Sequence, residues 1–157
     1  MDAIALLLTQ LDQAYDRRSW HGTNLRGSLR GLSARDAAWR PGPRRHNIWE
    51  IAVHAAYWKY AIWRRLTGAA RGSFPITGSN WFERPEQLTD AGWRSDLRLL
   101  ETNHRSLRDA VASLTPQMLT SAPPGGQESI QSLVSGIVAH DLYHAGQIQL
   151  IKRLRRA

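Results

Sequence analysis

Cysteine is absent from the 157-residue chain. Disulfides, thiolate metal ligands and a cysteine nucleophile are thereby excluded together, and any metal site has to be built from histidine and carboxylate. Lysine is scarce too: only two of the 21 basic side chains are lysine, the others being arginine. No stretch approaches the roughly 20 apolar residues of a membrane span. The opening segment, MDAIALLLTQLDQAYDRR, begins with an acid and spaces its apolar residues for a helix. It has none of the basic start, unbroken apolar run and small-residue cleavage site of a signal peptide. These absences predict a soluble, cytoplasmic protein without a membrane partner.

What is present argues for a folded domain. The hydrophobic fraction is 42% and there are seven tryptophans, too many for a disordered chain. A chain of this length buries about two-thirds of its unfolded surface around one core, so residues 1–157 are expected to form a single domain. The net charge of +8 is spread over doublets at Arg17-Arg18, Arg44-Arg45 and Arg64-Arg65 and a KRLRR tail. Scattered doublets read as solvated helix faces. With no helix-turn-helix signal, zinc-finger pattern or basic-aromatic stripe, nucleic acid is not the expected partner.

Apolar residues recur at helical spacing through most of the chain, and no segment alternates with the period of a strand, which predicts an all-α fold. A first helix spans about residues 2–18 through Ile4, Leu7, Leu8, Leu11 and Tyr15. WHGTNLRGSLRGL either continues it across a break at Gly22 or adds a short helix, and SARDAAWRPGPRRH reads as a connector. A second helix starts at Asn47, where Glu50 three residues on completes a capping box, and ends near Gly68. The Gly-, Ser- and Pro-rich stretch that follows is long for a loop inside a compact domain, and its Trp81 and Phe82 read as a lid or a packing anchor. A third helix carries Trp93, Leu97, Leu100, His104, Leu107, Val111 and Leu114 on one seam, and a fourth runs from about Ser129 to Arg153. Four amphipathic helices without strands predict a four-helix bundle whose long second connector permits a crossover.

Besides His104 on the third helix, histidines fall on the inward faces of the second and fourth. On the fourth, the stripe Ile130, Leu133, Ile137, His140, His144, Ile148, Ile151 turns both imidazoles toward the core. The four-residue spacing of His140 and His144 lets one ion bind both. On the second helix, the walk Ile51, His54 or Ala55, Trp58, Ile62, Leu66 brings a third histidine onto a buried stripe. Three buried imidazoles without partners would be costly, and three nitrogen ligands with open positions suit a catalytic site more than a structural one. The pattern is not that of an H-E-x-x-H protease: Asp141 is a methylene short of glutamate, and AGQIQLIKRLRRA contains no downstream ligand. Asp141 reads as a helix-surface salt bridge or as an orienting group behind a ligand. Glu50 is accounted for by its cap, His104 reads as packing or pocket wall with a fourth-ligand role left open, and His21 and His46 fall in breaks and are expected to face solvent. Tyr57 and Tyr143, one turn from His54 and His140 respectively, are candidates for packing or for lining a pocket.

The motifs HNIWEIAVHAAYWKYAIWRRL and SGIVAHDLYHAGQIQLIKRL, with WHGTNLRGSLRGLSARDAAWRP before them, resemble the DinB-like superfamily of DinB/YfiT-type metal-dependent hydrolases. The similarity covers nearly the whole chain. It implies a four-helix bundle with a long crossover and a divalent ion, zinc or nickel, on the motif residues His54, His140 and His144. It further implies a homodimer, a small-molecule substrate and, by similarity to thiol S-transferases of this superfamily, a low-molecular-weight thiol cosubstrate. The expected function is that of a metal-dependent enzyme of S-transferase or hydrolase type, because an ion on three neutral histidines lowers the pKa of a bound water or thiol. Arg44 and Arg45, beside the start of the second helix, are the first candidates for holding a cosubstrate carboxylate. The alternative is a metal- or ligand-binding stress-response bundle without catalysis.

Overall fold

Each α-helix among the described residues starts on a side chain that accepts a backbone N–H left free by the first turn: Asp2, Asn24, Ser33, Asn47, Thr89 and Ser129. In the computed structural model, which describes residues 2–157, these caps open α1 (Ala3–Tyr15), α2 (Leu25–Leu29), α3 (Ala34–Ala38), α4 (Ile48–Thr67), α5 (Asp90–Ala112) and α6 (Ile130–Arg156). One short 3-10 turn, Pro116–Thr120, precedes α6. Among the described residues there is no strand, as the spacing predicts. α4 closes on Gly68, whose φ of 72° is the left-handed conformation that glycine adopts without strain.

The first half of the chain is more finely divided than its periodicity suggests. α1 ends at Tyr15, and the following segment forms the separate short helix α2. The stretch expected to be a connector contains α3, five residues long, held by a full capping box between Ser33 and Asp36. A single turn is too short to display a hydrophobic period, so only its cap chemistry marks it.

The four long helices form a ring in which each packs chiefly on two others: α1 on α5 and α6, and α4 on α5 and α6. Two apolar clusters fill the ring. One contains Tyr15, Leu25, Trp49, Val53, Trp93 and Leu100, and the other Leu7, Leu11, Ile62, Leu107, Val111 and Val134. Each fully buried leucine, isoleucine or valine contributes about 1.5–3 kcal/mol. Between the clusters every long helix but α1 turns polar: Lys59 on α4, His104 on α5, and Asp141 and His144 on α6 are all buried.

The connector 69–88 is anchored at several points. Arg84 makes a bidentate pair with Asp96, Nε to Oδ2 at 2.8 Å and Nη2 to Oδ1 at 2.9 Å, and Trp49 Nε1 donates to the same carboxylate at 2.6 Å. The Asn47 amide donates to the Arg84 carbonyl at 2.8 Å. Phe82 is buried against Tyr57 and Phe74. These contacts lay residues 80–82 against α4 at the level of His54. Among the described residues, no helix is long and apolar enough to cross a membrane.

Candidate metal centre

α4 presents His54 on its buried face, and α6 presents His140 and His144 one turn apart. The structure brings the three rings together. His140 Nε2 lies 3.0 Å from His54 Nε2 and 3.1 Å from His144 Nε2, and one ligand atom from each residue lies within 4.8 Å of the others. His104 is not part of this group: it stacks on Tyr15 at 3.7 Å on another side of the polar layer. Glu50 is also elsewhere, closing the α4 cap while pairing with Arg40 and with His46 Nδ1.

The distribution of ring protons decides what the triad can bind. His54 Nδ1 stands 2.7 Å from the Asn80 carbonyl, which can only accept, so this nitrogen carries the proton. His144 Nδ1 likewise donates to Gln147 Oε1 at 2.7 Å. The Nε2 atoms of His54 and His144 are therefore bare lone pairs aimed toward His140 Nε2. One proton on His140 cannot fully satisfy both contacts, whereas a cation among the three nitrogens satisfies all of them. Two imidazole nitrogens about 2.1 Å from one ion stand about 3.0–3.4 Å apart at ordinary ligand angles, close to the two separations observed. Donation of the second ring N–H to a carbonyl or amide oxygen is also how ligating histidines are normally oriented. The residues fit a divalent ion of borderline softness.

Burial keeps the nitrogens unprotonated. It pushes His54 down to about 4, against the hydrogen bond to Asn80. His140 is held at about 3 by burial, with His144, His54 and Lys59 adding to the depression. His144 is lowered as well, again chiefly by burial. The ligand set is neutral near pH 7, as metal binding requires.

Trp81 closes one side. Its indole stacks on His54 at 3.8 Å and 7° and on His46 at 3.6 Å and 2°, and two rings so near one centroid must occupy opposite faces. The result is a His46–Trp81–His54 sandwich with His46 outermost. His46 is thus exposed, as expected, but engaged rather than free. Asn80 supports the arrangement from a left-handed backbone, φ 65°, which asparagine tolerates better than most residues. Its side-chain oxygen accepts from Trp58 Nε1 at 2.9 Å while its carbonyl holds His54.

Asp141 departs from its expected place on the helix surface. Its carboxylate and the ammonium of Lys59 form an ion pair in which neither side chain is exposed. Burial raises the Asp141 pKa, with the Lys59 charge working in the opposite direction. The pair crosses from α4 to α6 and so fixes the two histidine-bearing helices against each other. Tyr143 is 65% exposed and reaches the site only as an edge against the His144 ring. Tyr57 is packing, set among Trp58, Phe74 and Phe82. Asn80, Gln147 and Lys59 escape notice in the sequence. Gln147, at a three-residue offset from His144, carried the one detectable signal.

Two clefts flank the triad. One, about 200 Å³, is lined by Trp58, Ile62, Arg65, Leu133, Ile137 and His140, and so reaches a histidine of the triad. The other, lined by Arg44, Arg45, His46 and Trp81, contains none of the three. Arg44 and Arg45 therefore sit on the far side of the tryptophan shield, and Arg65 is the arginine beside the triad's open side.

A sequence model of the DinB superfamily matches residues 17–148, a span that contains all three histidines and the residues that orient them. No curated protein and no solved structure matches the chain. With its motifs, its all-helical architecture and a match over most of its length in agreement, the chain belongs to the DinB superfamily.

Proposed function

We propose that this protein is a divalent-metal-dependent enzyme that acts on a small molecule, by thiol S-transfer or by hydrolysis, with His54, His140 and His144 as the metal ligands. The observation that carries the reading is the proton inventory of the triad: two Nδ1–H groups are already committed to oxygen acceptors, which leaves the Nε2 lone pairs converging on one point. A divalent ion there, zinc or nickel by the chemistry of the donor set, would act as a Lewis acid that generates a nucleophile near neutral pH.

The chain's own residues supply the remainder. Asn80 and Gln147 hold two ligand rings in one tautomer and orientation. Trp81 and Trp58 keep water from the His54 side, Trp81 by lying flat on the ring. A substrate approaches along the cleft at His140, whose walls are apolar apart from Arg65 and Ser132. Arg65 at its rim suits a carboxylate on the substrate or on a thiol cosubstrate. Asp141 is committed to Lys59 and does not serve as a base.

Elemental analysis of the purified protein should find close to one divalent ion per chain, and His54→Ala/His140→Ala should remove it. Absence of metal from the wild type, even after reconstitution, would overturn the reading. Metal-dependent conjugation of monochlorobimane by one of several bacterial thiols, or metal-dependent ester hydrolysis, separates an enzyme from a protein that only binds the ion.

A further inference from the structure

A cavity lies away from the histidines, between α2, the turn after it and the first half of α5. Its volume is about 870 Å³, within the range of small-molecule sites, and no residue of the triad lines it. The floor is apolar, formed by Leu32 and Leu97 with the edges of Leu29 and Trp93. Around it stand four arginines: Arg26 and Arg30 from the α2 side, and Arg94 and Arg98 one turn apart on α5.

Neither acid that lines the cavity pairs with Arg30, Arg94 or Arg98 within 4.0 Å. Asp90 accepts the Ala34 N–H at 2.8 Å. Glu101 accepts the Tyr15 hydroxyl at 2.9 Å and pairs with Arg105 at 2.9 Å, with Arg26 at 3.8 Å. Among the described residues, Arg30, Arg94 and Arg98 have no ion pair within 4.0 Å. Three guanidinium groups with unused donor forks thus surround an apolar floor. Like charges at the i,i+4 spacing of Arg94 and Arg98 repel, and an anion between them reverses the sign of that interaction.

The geometry points to a second binding site, separate from the histidine centre, for a small amphipathic organic anion. Its aromatic or acyl body lies on Leu32 and Leu97, and its carboxylate, sulfonate or phosphate is held by Arg94 and Arg98, with Arg30 opposite. A concave site with an apolar floor suits a compact ligand of this kind better than a nucleic-acid backbone, which is tracked by an extended basic groove.

The test uses the full chain and two dyes of nearly the same shape, the sulfonate 8-anilinonaphthalene-1-sulfonate and the neutral N-phenyl-1-naphthylamine, titrated by fluorescence. The expected result is one sulfonate dye bound per chain, about tenfold or more tighter than the neutral one, as a charge-assisted hydrogen bond implies. Arg94→Ala/Arg98→Ala should abolish that preference while leaving the neutral dye's affinity unchanged. Leu97→Trp, which fills the floor, should weaken both, and Arg64→Ala/Arg65→Ala, near the histidine cleft, should weaken neither. Circular dichroism checks that each variant is folded. Equal affinity for the two dyes, a preference that survives in Arg94→Ala/Arg98→Ala, or a loss that follows Arg64→Ala/Arg65→Ala instead would overturn the proposal.

Discussion

Lys59 and Asp141 carry the largest energetic risk of any residues in the core, because both are withdrawn completely from water. Lys59→Met strands a buried carboxylate, and urea unfolding should show a loss of about 3–5 kcal/mol. Lys59→Met/Asp141→Leu, which removes both charges, should recover most of it; a double variant no more stable than the single one would show that the pair is not the cause. His104 makes a contrasting case. Burial drives its pKa down to about 2, with Lys59 and Arg108 adding to the effect, and its Nδ1 has no partner. An unfolded histidine takes up a proton near pH 6.5, so the stability tied to neutral His104 is complete above that pH. It is lost as pH falls toward the folded value, at about 1.4 kcal/mol per pH unit. His104→Phe keeps an aromatic ring on Tyr15 and has no proton to gain. Its unfolding free energy should therefore fall less steeply than the wild type's between about pH 6 and pH 4, by up to that slope; parallel pH profiles would contradict the assignment.

At the scale of elements, the connector 69–88 completes a site whose histidines lie on helices. Asn80→Ala removes the Trp58 contact and strains a left-handed backbone position, and Gln147→Leu frees the His144 ring. Each should weaken cobalt(II) binding, read from its visible spectrum, by about 10–100-fold without removing a ligand; unchanged affinity in both would mean that ring orientation is set by packing alone. The same contrast explains what was legible in the sequence. His54, His140 and His144 could be placed because side-chain direction follows helical phase, and the α4 cap could be read from Asn47 and Glu50. The Asn80 carbonyl could not, because a backbone group carries no residue identity and its aim depends on a turn 26 residues away from its partner. Lys59 was equally hidden, since a lone lysine on a helix normally reaches solvent and its acid lies 82 residues further on. α3 was missed for want of length, not of signal, as its Ser33–Asp36 box is explicit.

For the molecule as a whole, the proposed ion joins two helices that are distant in sequence and so binds only the folded chain. Saturation at about 100 times the dissociation constant should add about 2.7 kcal/mol of stability, a rise of about 5–10 °C in melting temperature for a chain of this size. His54→Ala should lose that increment even if its metal-free stability is unchanged, and a metal-induced rise that persists in the variant would place the ion elsewhere. His140 follows His54 by 86 residues. At a synthesis rate of about 5–20 residues per second, the first proposed ligand waits roughly 4–17 seconds for the second. With that ion bound as proposed, a nascent chain has no competent chelate while α4 is being made, and the choice among cellular metals falls to the assembled protein after translation has passed α6.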